Sequence, residues 1–313
     1  MTSHHKGLAA TLLFALILGT IPAITRLAVT TNAHLLDLWL LRCLVGGLLL
    51  LPYLGYRLYS RQLPARFLLI GAVLAFCQGW GAHLFSIAGM QFAPASHTSA
   101  LGPGVISIWV AMWGFLIFRN KPKQQEIYSF PFLLAGAAII MVNAGFILND
   151  PKMLTGDLFY LGSSCVSAIY LVYLKNKNLK TLDGAAVIAF FSAIVASLVF
   201  LASPHESRLP LLPIRDLIFQ VMVQGVIAGA FIYVLIGYAI SRVGAQQFTI
   251  IGSIIPVISM FAGKYITGDP FNSLDIAAII IIAIGIVIGV KNSSPAQNKI
   301  NPNQKHAVLQ DIS

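Results

Sequence analysis

The chain repeats its own layout at a fixed offset of 149 residues, and this repeat restricts the possible folds more than any other feature. The segment from Gly19 to Arg26 aligns with the segment from Ala168 to Lys175. Late in each half, Gly136 aligns with Gly285 inside an apolar run. Because one offset relates early and late positions, the two halves share one arrangement of elements with almost no net insertion.

The composition predicts that most of the protein surface contacts lipid. Hydrophobic residues make up 58% of the 313 residues and charged residues only 10%, whereas a soluble domain carries about 25% charged residues. Lipid cannot satisfy free backbone groups, so only helices or a closed barrel can span the bilayer. The apolar runs are long and continuous, which favours helices over barrel strands.

Each half contains five apolar segments of membrane-spanning length, which predicts an all-α integral membrane protein with ten transmembrane helices. Because five is odd, the second half enters the bilayer from the opposite face, and the fold is predicted to be two inverted five-helix repeats. The repeats cover residues 7–148 and 156–290, and the polar segment 291–313 is expected to be a disordered cytoplasmic tail. The predicted spans are 7–30, 35–56, 66–90, 94–118, 128–148, 156–176, 183–203, 213–241, 246–267 and 273–290.

The distribution of Lys and Arg predicts that both termini are cytoplasmic. With the N-terminus inside, 14 of the 20 Lys and Arg residues fall in cytoplasmic segments, 3 in external segments and 3 within spans. The net charge of +10 therefore indicates topology and contact with anionic lipid. It does not indicate a nucleic-acid partner, because the positive charges are dispersed over short loops. The oligomeric state stays open.

An inverted repeat of helices is a recurring plan of secondary transporters, whose binding site lies between the repeats. Polar residues inside a bilayer are costly, so each is a candidate for function. His83 lies midway along the third span, and Trp80 precedes it by three residues and is expected to share its helix face. The further candidates for substrate binding are Gln78, Trp109, Gln224, Phe231, Tyr233 and Tyr160. The alternative for all of them is a structural role in helix packing.

Three prolines are predicted to interrupt or kink spans around the centre of the fold. Pro22, Pro103 and Pro256 each remove a backbone donor and clash with the preceding turn. Interrupted segments at matching places in two halves point to the site of a transporter. A simple packing kink is the alternative interpretation.

Arg26, Arg42 and Lys264 lie toward the outer ends of their spans, and Asp37 lies near the first two. One interpretation is snorkelling, or an ion pair among Arg26, Arg42 and Asp37. The functional interpretation is an outer gate or an anchor for a substrate carboxylate.

Several segments resemble EamA-type proteins of the drug/metabolite transporter superfamily. The stretch 89–104, with the sequence GMQFAPASHTSALGPG, resembles the start of the fourth helix in that family. The stretch 238–246, followed by Pro256, resembles the junction of the eighth and ninth helices. Arg42 and the pair Gly156-Asp157 also match.

This resemblance implies a ten-helix bundle that moves small metabolites and often exports amino acids or related compounds. It also implies a multi-pass protein of the bacterial inner membrane. The family usually has Glu after the fourth and ninth helices, whereas this chain has Asn120 and Asp269 there. The departure leaves the subfamily and the substrate open.

The leading hypothesis is therefore a secondary transporter, not an enzyme, that exports an amino acid or related compound and uses no metal or other cofactor. An importer or exchanger of a nucleoside-like metabolite is the alternative, and a non-transporting receptor or scaffold is a further one. An intramembrane enzyme would need acid/base or metal-ligand clusters on facing helices. The deep interior is expected to hold one histidine, His83, and no carboxylate, because Asp157 and Asp275 fall near span ends. Transport is accordingly expected to be uncoupled, or coupled to protons only through His83.

Overall fold

The computed structural model of the chain describes residues 3–63, 66–143, 149–177, 180–269 and 272–291. The predicted tail therefore lies outside the described residues, apart from Lys291. The helices of the first half are α1 Ser3–Thr31, α2 Leu35–Tyr59, α3 Arg66–Gln78, α4 Trp80–Gly89, α5 Ala95–Leu101, α6 Ile106–Phe118 and α7 Gln124–Val142.

The second half is helical in the same order. Its helices are α8 Pro151–Lys177, α9 Thr181–Ala202, α10 Ile214–Gln220, α11 Ile232–Gly252, α12 Ile255–Ala262 and α13 Ser273–Lys291. Two stretches are wound as π-helices, Val221–Phe231 between α10 and α11 and Gly263–Thr267 after α12. A 3₁₀ turn at Leu209–Leu211 precedes α10.

Interruptions of the helices fall at related places in the two halves. The fourth predicted span breaks between the end of α5 at Leu101 and the start of α6 at Ile106. The ninth breaks between Gly252 and Ile255, which are close to the repeat-related positions. The third span breaks at Gly79, and the π-helix Val221–Phe231 contains the position related to it by the repeat.

Eight helices among the described residues are long and apolar enough to cross a membrane. The other two predicted spans correspond to α8 and α13. In α13 the apolar stretch Ser273–Gly289 is shorter than the eight, and α8 has 27 residues but is not among them. The sequence of α8 contains Asp157 and several serines, which lowers its apolarity. Leucines on the outer surface, such as Leu198 and Leu201, are exposed as lipid contact requires.

The two halves pack closely through helices drawn from each. The pairs α7 with α13, α2 with α9, and α1 with α11 form the largest contacts. The repeat-related glycines Gly136 and Gly285 make the first pair possible, because a Cβ at Gly136 would lie 2.8 Å from the carbonyl oxygen of Ala278. Small residues at such crossings let helix backbones approach in a membrane protein.

Gly46→Val is expected to destabilise the protein by about 3 kcal/mol, because overpacking a close contact forces backbone shifts. A Cβ at Gly46 of α2 would lie 2.6 Å from the carbonyl oxygen of Gly229 in the π-helix. Gly55→Val on the same helix is the matched control, since no atom lies within 4 Å of the added Cβ. The measurement is the melting temperature in detergent. Equal melting temperatures for the two variants would contradict the close crossing.

Candidate functional site

A cavity of about 280 Å³ lies inside the helix bundle and is lined by residues of both halves. Its wall comes from α1 to α6 in the first half, and from α8, the π-helix Val221–Phe231 and α11 in the second. The polar lining consists of one guanidinium, one imidazole, one amide, two tyrosines and several Ser and Thr hydroxyls. No carboxylate is among the lining residues, all of which lie in the described part of the chain.

Several residues that the sequence predicted for a site do line this cavity. They are Gln78, His83, Tyr160, Tyr233, Arg42, Pro22 and Pro103. Residues more than 150 positions apart in the chain therefore meet around one space. Their roles in binding or gating remain predictions.

Other predicted pocket residues lie outside the cavity wall. The ring of Trp80 packs on Phe76, with ring centres 4.9 Å apart, so Trp80 and His83 do not share one face of the cavity. Trp109 donates its ring N–H to the Ser164 hydroxyl at 3.1 Å. Phe231 is 41% exposed on the outside of the bundle.

The predicted helix-breaking prolines behave differently from one another. α1 continues through Pro22, so the break expected there is not present. Pro103 lies in the gap between α5 and α6, and Pro256 lies in the first turn of α12. Pro256 lines a second cavity of about 180 Å³, which shares Phe14 and Pro103 with the first.

Arg42 is buried beside the cavity, and no carboxylate of the described residues pairs with it. One terminal nitrogen of its guanidinium donates a short hydrogen bond to the Gln224 side-chain oxygen and lies 3.4 Å from the Thr25 hydroxyl. The Gln224 amide donates in turn to the Thr25 hydroxyl at 2.9 Å. The Nε of Arg42 has no hydrogen-bond partner among the described residues. Since buried charges are normally paired, this guanidinium is the strongest indication of a ligand in the structure.

Three further buried polar atoms of cavity-lining residues also lack partners among the described residues. They are the side-chain oxygen of Gln78, the last residue of α3, Nδ1 of His83 in α4, and the hydroxyl of Thr98 in α5. Native proteins satisfy most buried polar atoms, and exceptions need an explanation such as a ligand or water. The residues that carry these atoms line the cavity together with Arg42, so a polar molecule in the cavity would lie beside them.

Arg26 does not pair with Asp37 or Arg42, so the ion pair considered among those three is wrong. Its Nε instead lies 2.8 Å from a carboxylate oxygen of Asp269, which follows α12. One NH group also donates to the carbonyls of Met90, at 2.7 Å, and Ala93. Asp269 additionally accepts the backbone N–H of Ala95 at 3.0 Å. We call Arg26, Asp269 and the two carbonyls the Arg26 closure. It joins α1 to the turn after the π-helix Gly263–Thr267, across the turn between α4 and α5.

The remaining charged candidates lie away from the cavity. Lys264 is exposed on the π-helix after α12. Asp37 accepts the Ser207 hydroxyl and the Arg208 backbone N–H, both at 2.8 Å, in the loop after α9. That loop holds α2 to the second half rather than closing the cavity.

Sequence reasoning missed a buried cluster of titratable groups beside the cavity. Nδ1 of His97 in α5 lies 2.8 Å from Asp157 of α8, and its Nε2 lies 3.8 Å from Asp275 of α13. All three residues are near the ends of their helices, as predicted, but the helix ends cover one another and the side chains are buried. The sequence gives the position of each residue along its helix, but it does not show that the three helix ends meet. No group of three His, Cys, Asp or Glu side chains in the described ranges could hold a metal ion.

The model of the EamA-like transporter family matches residues 5–142 and 154–290 of the chain. This chain belongs to the EamA-like transporter family. The two matched segments begin 149 residues apart, which is the offset of the sequence repeat. As an EamA-like transporter, the chain is a multi-pass membrane protein of a family that transports small molecules.

The crystal structure of another protein has the same fold as this EamA-like chain. The TM-score is 0.58 and the sequence identity 15%, and the match covers 92% of this chain and 98% of the other. None of the curated proteins matches the chain in sequence.

Proposed function

We propose that this chain is a secondary transporter that exports amino acids or related compounds across the bacterial inner membrane. The proposal rests on one observation: a cavity between the two halves is lined by a buried guanidinium that no carboxylate in the described part of the chain neutralises. A substrate carboxylate supplies the missing charge. The ammonium group at the other end of an amino-acid substrate must then bind neutral groups, because the lining residues of the cavity include no carboxylate.

The geometry around Arg42 suits a carboxylate. Arginine presents a planar fork of donors that matches the two oxygens of a carboxylate, and such charge-assisted pairs are the strong ones. The Nε of Arg42 is unpartnered, and one terminal nitrogen is held by Gln224 and Thr25. A substrate carboxylate would pair with the guanidinium from the side that faces the cavity.

Other groups of the cavity wall suit an ammonium group or another donor. The Gln78 oxygen and the His83 Nδ1 are both acceptors without partners among the described residues when the His83 proton is on Nε2. The hydroxyls of Ser86 and Ser163 also line the cavity and can accept hydrogen bonds. The wall therefore offers a zwitterion one cation for its carboxylate and neutral acceptors for its ammonium group.

The size of the cavity also favours a small metabolite. Pockets for drug-sized ligands have volumes of about 300–1,000 Å³, and this cavity has about 280 Å³. Trp80 and Trp109 are outside the cavity wall, and the aromatic rings that line it are those of Phe14, Tyr160 and Tyr233. The amino-acid hypothesis rests on Arg42 and on the small volume.

Alternating access between two inverted five-helix repeats, with ten transmembrane helices, is the mechanism we propose. The Arg26 closure would seal the outer end of the cavity in the conformation described here. The repeat relates Arg26 to Lys175 and Asp269 to Asn120, so the corresponding inner positions would close when the outer ones part. The substrate would then see one side of the membrane at a time.

Reporter fusions after Asp150 and after Ser313 are expected to report opposite sides of the membrane, with Ser313 in the cytoplasm. The reason is that five spans separate the two positions and the Lys and Arg bias places both termini inside. The measurement uses a phosphatase reporter, active outside, and a fluorescent reporter, active inside. Fusions that report the same side would remove the inverted repeat.

His83→Ala is expected to reduce amino-acid flux about tenfold, because a hydrogen bond to a charged group contributes about 1.5–3 kcal/mol. Trp80→Ala is expected to lower the melting temperature, because Trp80 packs on Phe76 outside the cavity. Its flux per folded protein should fall less than that of His83→Ala. Both variants are measured in proteoliposomes at equal protein content. A larger loss of flux for Trp80→Ala than for His83→Ala would move the site to the other side of α4.

The function itself is tested with proteoliposomes loaded with an equimolar mixture of the common amino acids. Efflux of each is followed by mass spectrometry, with protein-free liposomes as the control. We expect selective efflux of one or a few amino acids. A parallel mixture of nucleosides tests the alternative, and efflux of nucleosides alone would replace the amino-acid hypothesis.

A further inference from the structure

His97, Asp157 and Asp275, which we call the outer acid–base cluster, place one imidazole between two carboxylates. His97 is 1% exposed and Asp157 is fully buried. One oxygen of Asp157 accepts the contact from His97 at 2.8 Å, and its second oxygen has no hydrogen-bond partner among the described residues. A buried carboxylate oxygen normally has a partner, so this oxygen is a place where a proton can reside.

The surroundings of the cluster are neutral amides rather than cations. Asn143 of α7 donates its side-chain N–H to Asp275 at 2.9 Å, and the backbone N–H of Asn272 donates to the other oxygen at 3.1 Å. Tyr160 is near Asp157 and also near Arg26 and Asp269. Arg26 and Asp269 neutralise each other as an ion pair.

The free-energy cost of burying the cluster therefore depends on its net charge. If both carboxylates are ionised, even a protonated His97 leaves a net charge of −1 in a buried place. Unpaired buried charge is expensive, and two carboxylates that share a site are stabilised when they hold a proton. One proton bound to the free oxygen of Asp157 makes the cluster neutral.

The cluster is physically connected to the substrate cavity. His97 is followed directly by Thr98 and Ser99 of α5, which line the cavity, and Asp157 lies one helical turn before Tyr160, which also lines it. α5 is a short segment of seven residues between Pro94 and the break at Gly102. A change in charge at the cluster thus acts on two walls of the cavity.

We propose that the outer acid–base cluster is the proton-binding site of a proton-coupled exporter. It takes up one proton from the outer side, on the free oxygen of Asp157, and releases that proton to the inner side as substrate moves outward. The proton makes and breaks one O–H bond per cycle, and no oxidant or other reactant is needed. The inference rests on the proposed function and replaces the expectation that only His83 can couple transport to protons.

The transport test uses proteoliposomes with the mixture of common amino acids and an acidic lumen, at zero membrane potential. Outward proton movement should drive amino-acid accumulation in the wild type, up to about tenfold per pH unit for one-to-one exchange. Asp157→Asn should abolish this accumulation. The rate at which this variant exchanges amino acids should not depend on pH between about pH 5 and 8. Asp275→Asn should weaken or abolish it.

Glu126→Gln is the matched control. Glu126 occupies the position related to Asp275 by the repeat, and it accepts the backbone N–H of Lys123 as Asp275 accepts that of Asn272. It lacks a histidine partner among the described residues. Accumulation driven by the pH gradient should therefore persist in Glu126→Gln.

A spectroscopic test needs no substrate and separates this inference from the proposed function. Infrared difference spectra of purified protein, recorded during a pH titration, should show the carbonyl stretch of a protonated carboxyl group. That band should be missing in Asp157→Asn. In His97→Gln the band should shift in frequency. An identical band in the wild type and Asp157→Asn would overturn the proposal, as would accumulation that survives both aspartate substitutions. Absence of exchange for every amino acid, with the band present, would instead refute the proposed substrate.

Discussion

Arg42→Gln is expected to reduce amino-acid flux at subsaturating substrate by about 10- to 100-fold. A hydrogen bond to a charged group contributes about 1.5–3 kcal/mol, and each 1.4 kcal/mol corresponds to a factor of about ten. The substitution removes the only guanidinium of the cavity wall, while its amide can still donate to Gln224. Arg42→Lys keeps the charge and loses the planar fork, so its flux should lie between that of the wild type and Arg42→Gln.

The same substitution should not cost stability, which distinguishes a binding role from a structural one. Arg42 has no carboxylate partner among the described residues, so its removal abolishes the cost of burying an unpaired charge. Arg57 on the same helix is different, because its guanidinium forms two bonds to Asp183, at 2.8 and 2.6 Å.

Arg57→Gln is therefore the matched comparison for stability. It leaves Asp183 without its cation and should destabilise the protein by about 2 kcal/mol. Melting temperatures of both variants in detergent and their flux per folded protein are measured together. If Arg42→Gln lowers the melting temperature as much as Arg57→Gln does, the Arg42 guanidinium is structural and the carboxylate site must be placed elsewhere.

Asp269→Asn is expected to open the outer end of the cavity. Without the carboxylate, Arg26 retains, among the described residues, the two carbonyl contacts, and the ion pair that links α1 to the turn after the π-helix Gly263–Thr267 is lost. Loss of a charge-assisted bond of about 1.5–3 kcal/mol corresponds to a roughly 10- to 100-fold larger population of the outward-open state.

The measurement is the labelling rate of a reporter cysteine inside the cavity. Ser86→Cys lines the cavity, and Cys43, Cys77 and Cys165 are replaced by alanine so that only the reporter reacts. A membrane-impermeant thiol reagent is added from the outer side. The labelling rate should increase about 10- to 100-fold when Asp269→Asn is added, in proportion to the open population.

Asp37→Asn provides the control for this experiment. Asp37 is also a buried aspartate at the predicted outer end of its span, but its hydrogen bonds go to the loop after α9 instead of across the cavity. Its substitution should leave the labelling rate of the reporter unchanged. Equal rates for Asp269→Asn and the parent would show that the Arg26 closure does not control access.

The order and approximate bounds of the helices follow from local properties of the sequence. Long apolar runs can only be helices in lipid, and the repeat predicts that both halves share one order of elements. The break around Pro103 is also local, because a proline between two glycines removes a backbone donor where the flanking residues favour the helix least. The family was recognisable from the same linear information, as the match over residues 5–142 and 154–290 shows.

Helix faces were harder to predict than helix positions. Trp80 and His83 are three residues apart, but Trp80 is the first residue of α4, after the interruption at Gly79. Both residues belong to α4, but the Trp80 ring packs back on Phe76 of α3, so only His83 lines the cavity. Phe231 likewise lies at the end of the π-helix, where the altered winding changes the direction that a regular helical period predicts.

The sequence by itself determined the solvent, the helical class, the repeat and the family, because each depends on composition or on order along the chain. Only the tertiary structure decided which polar groups meet. Arg26 with Asp269, Arg42 with Gln224, and His97 with Asp157 are each separated by 60 to 243 positions. Such pairs form where helices of different segments cross, and the crossing depends on how all side chains along both helices interlock.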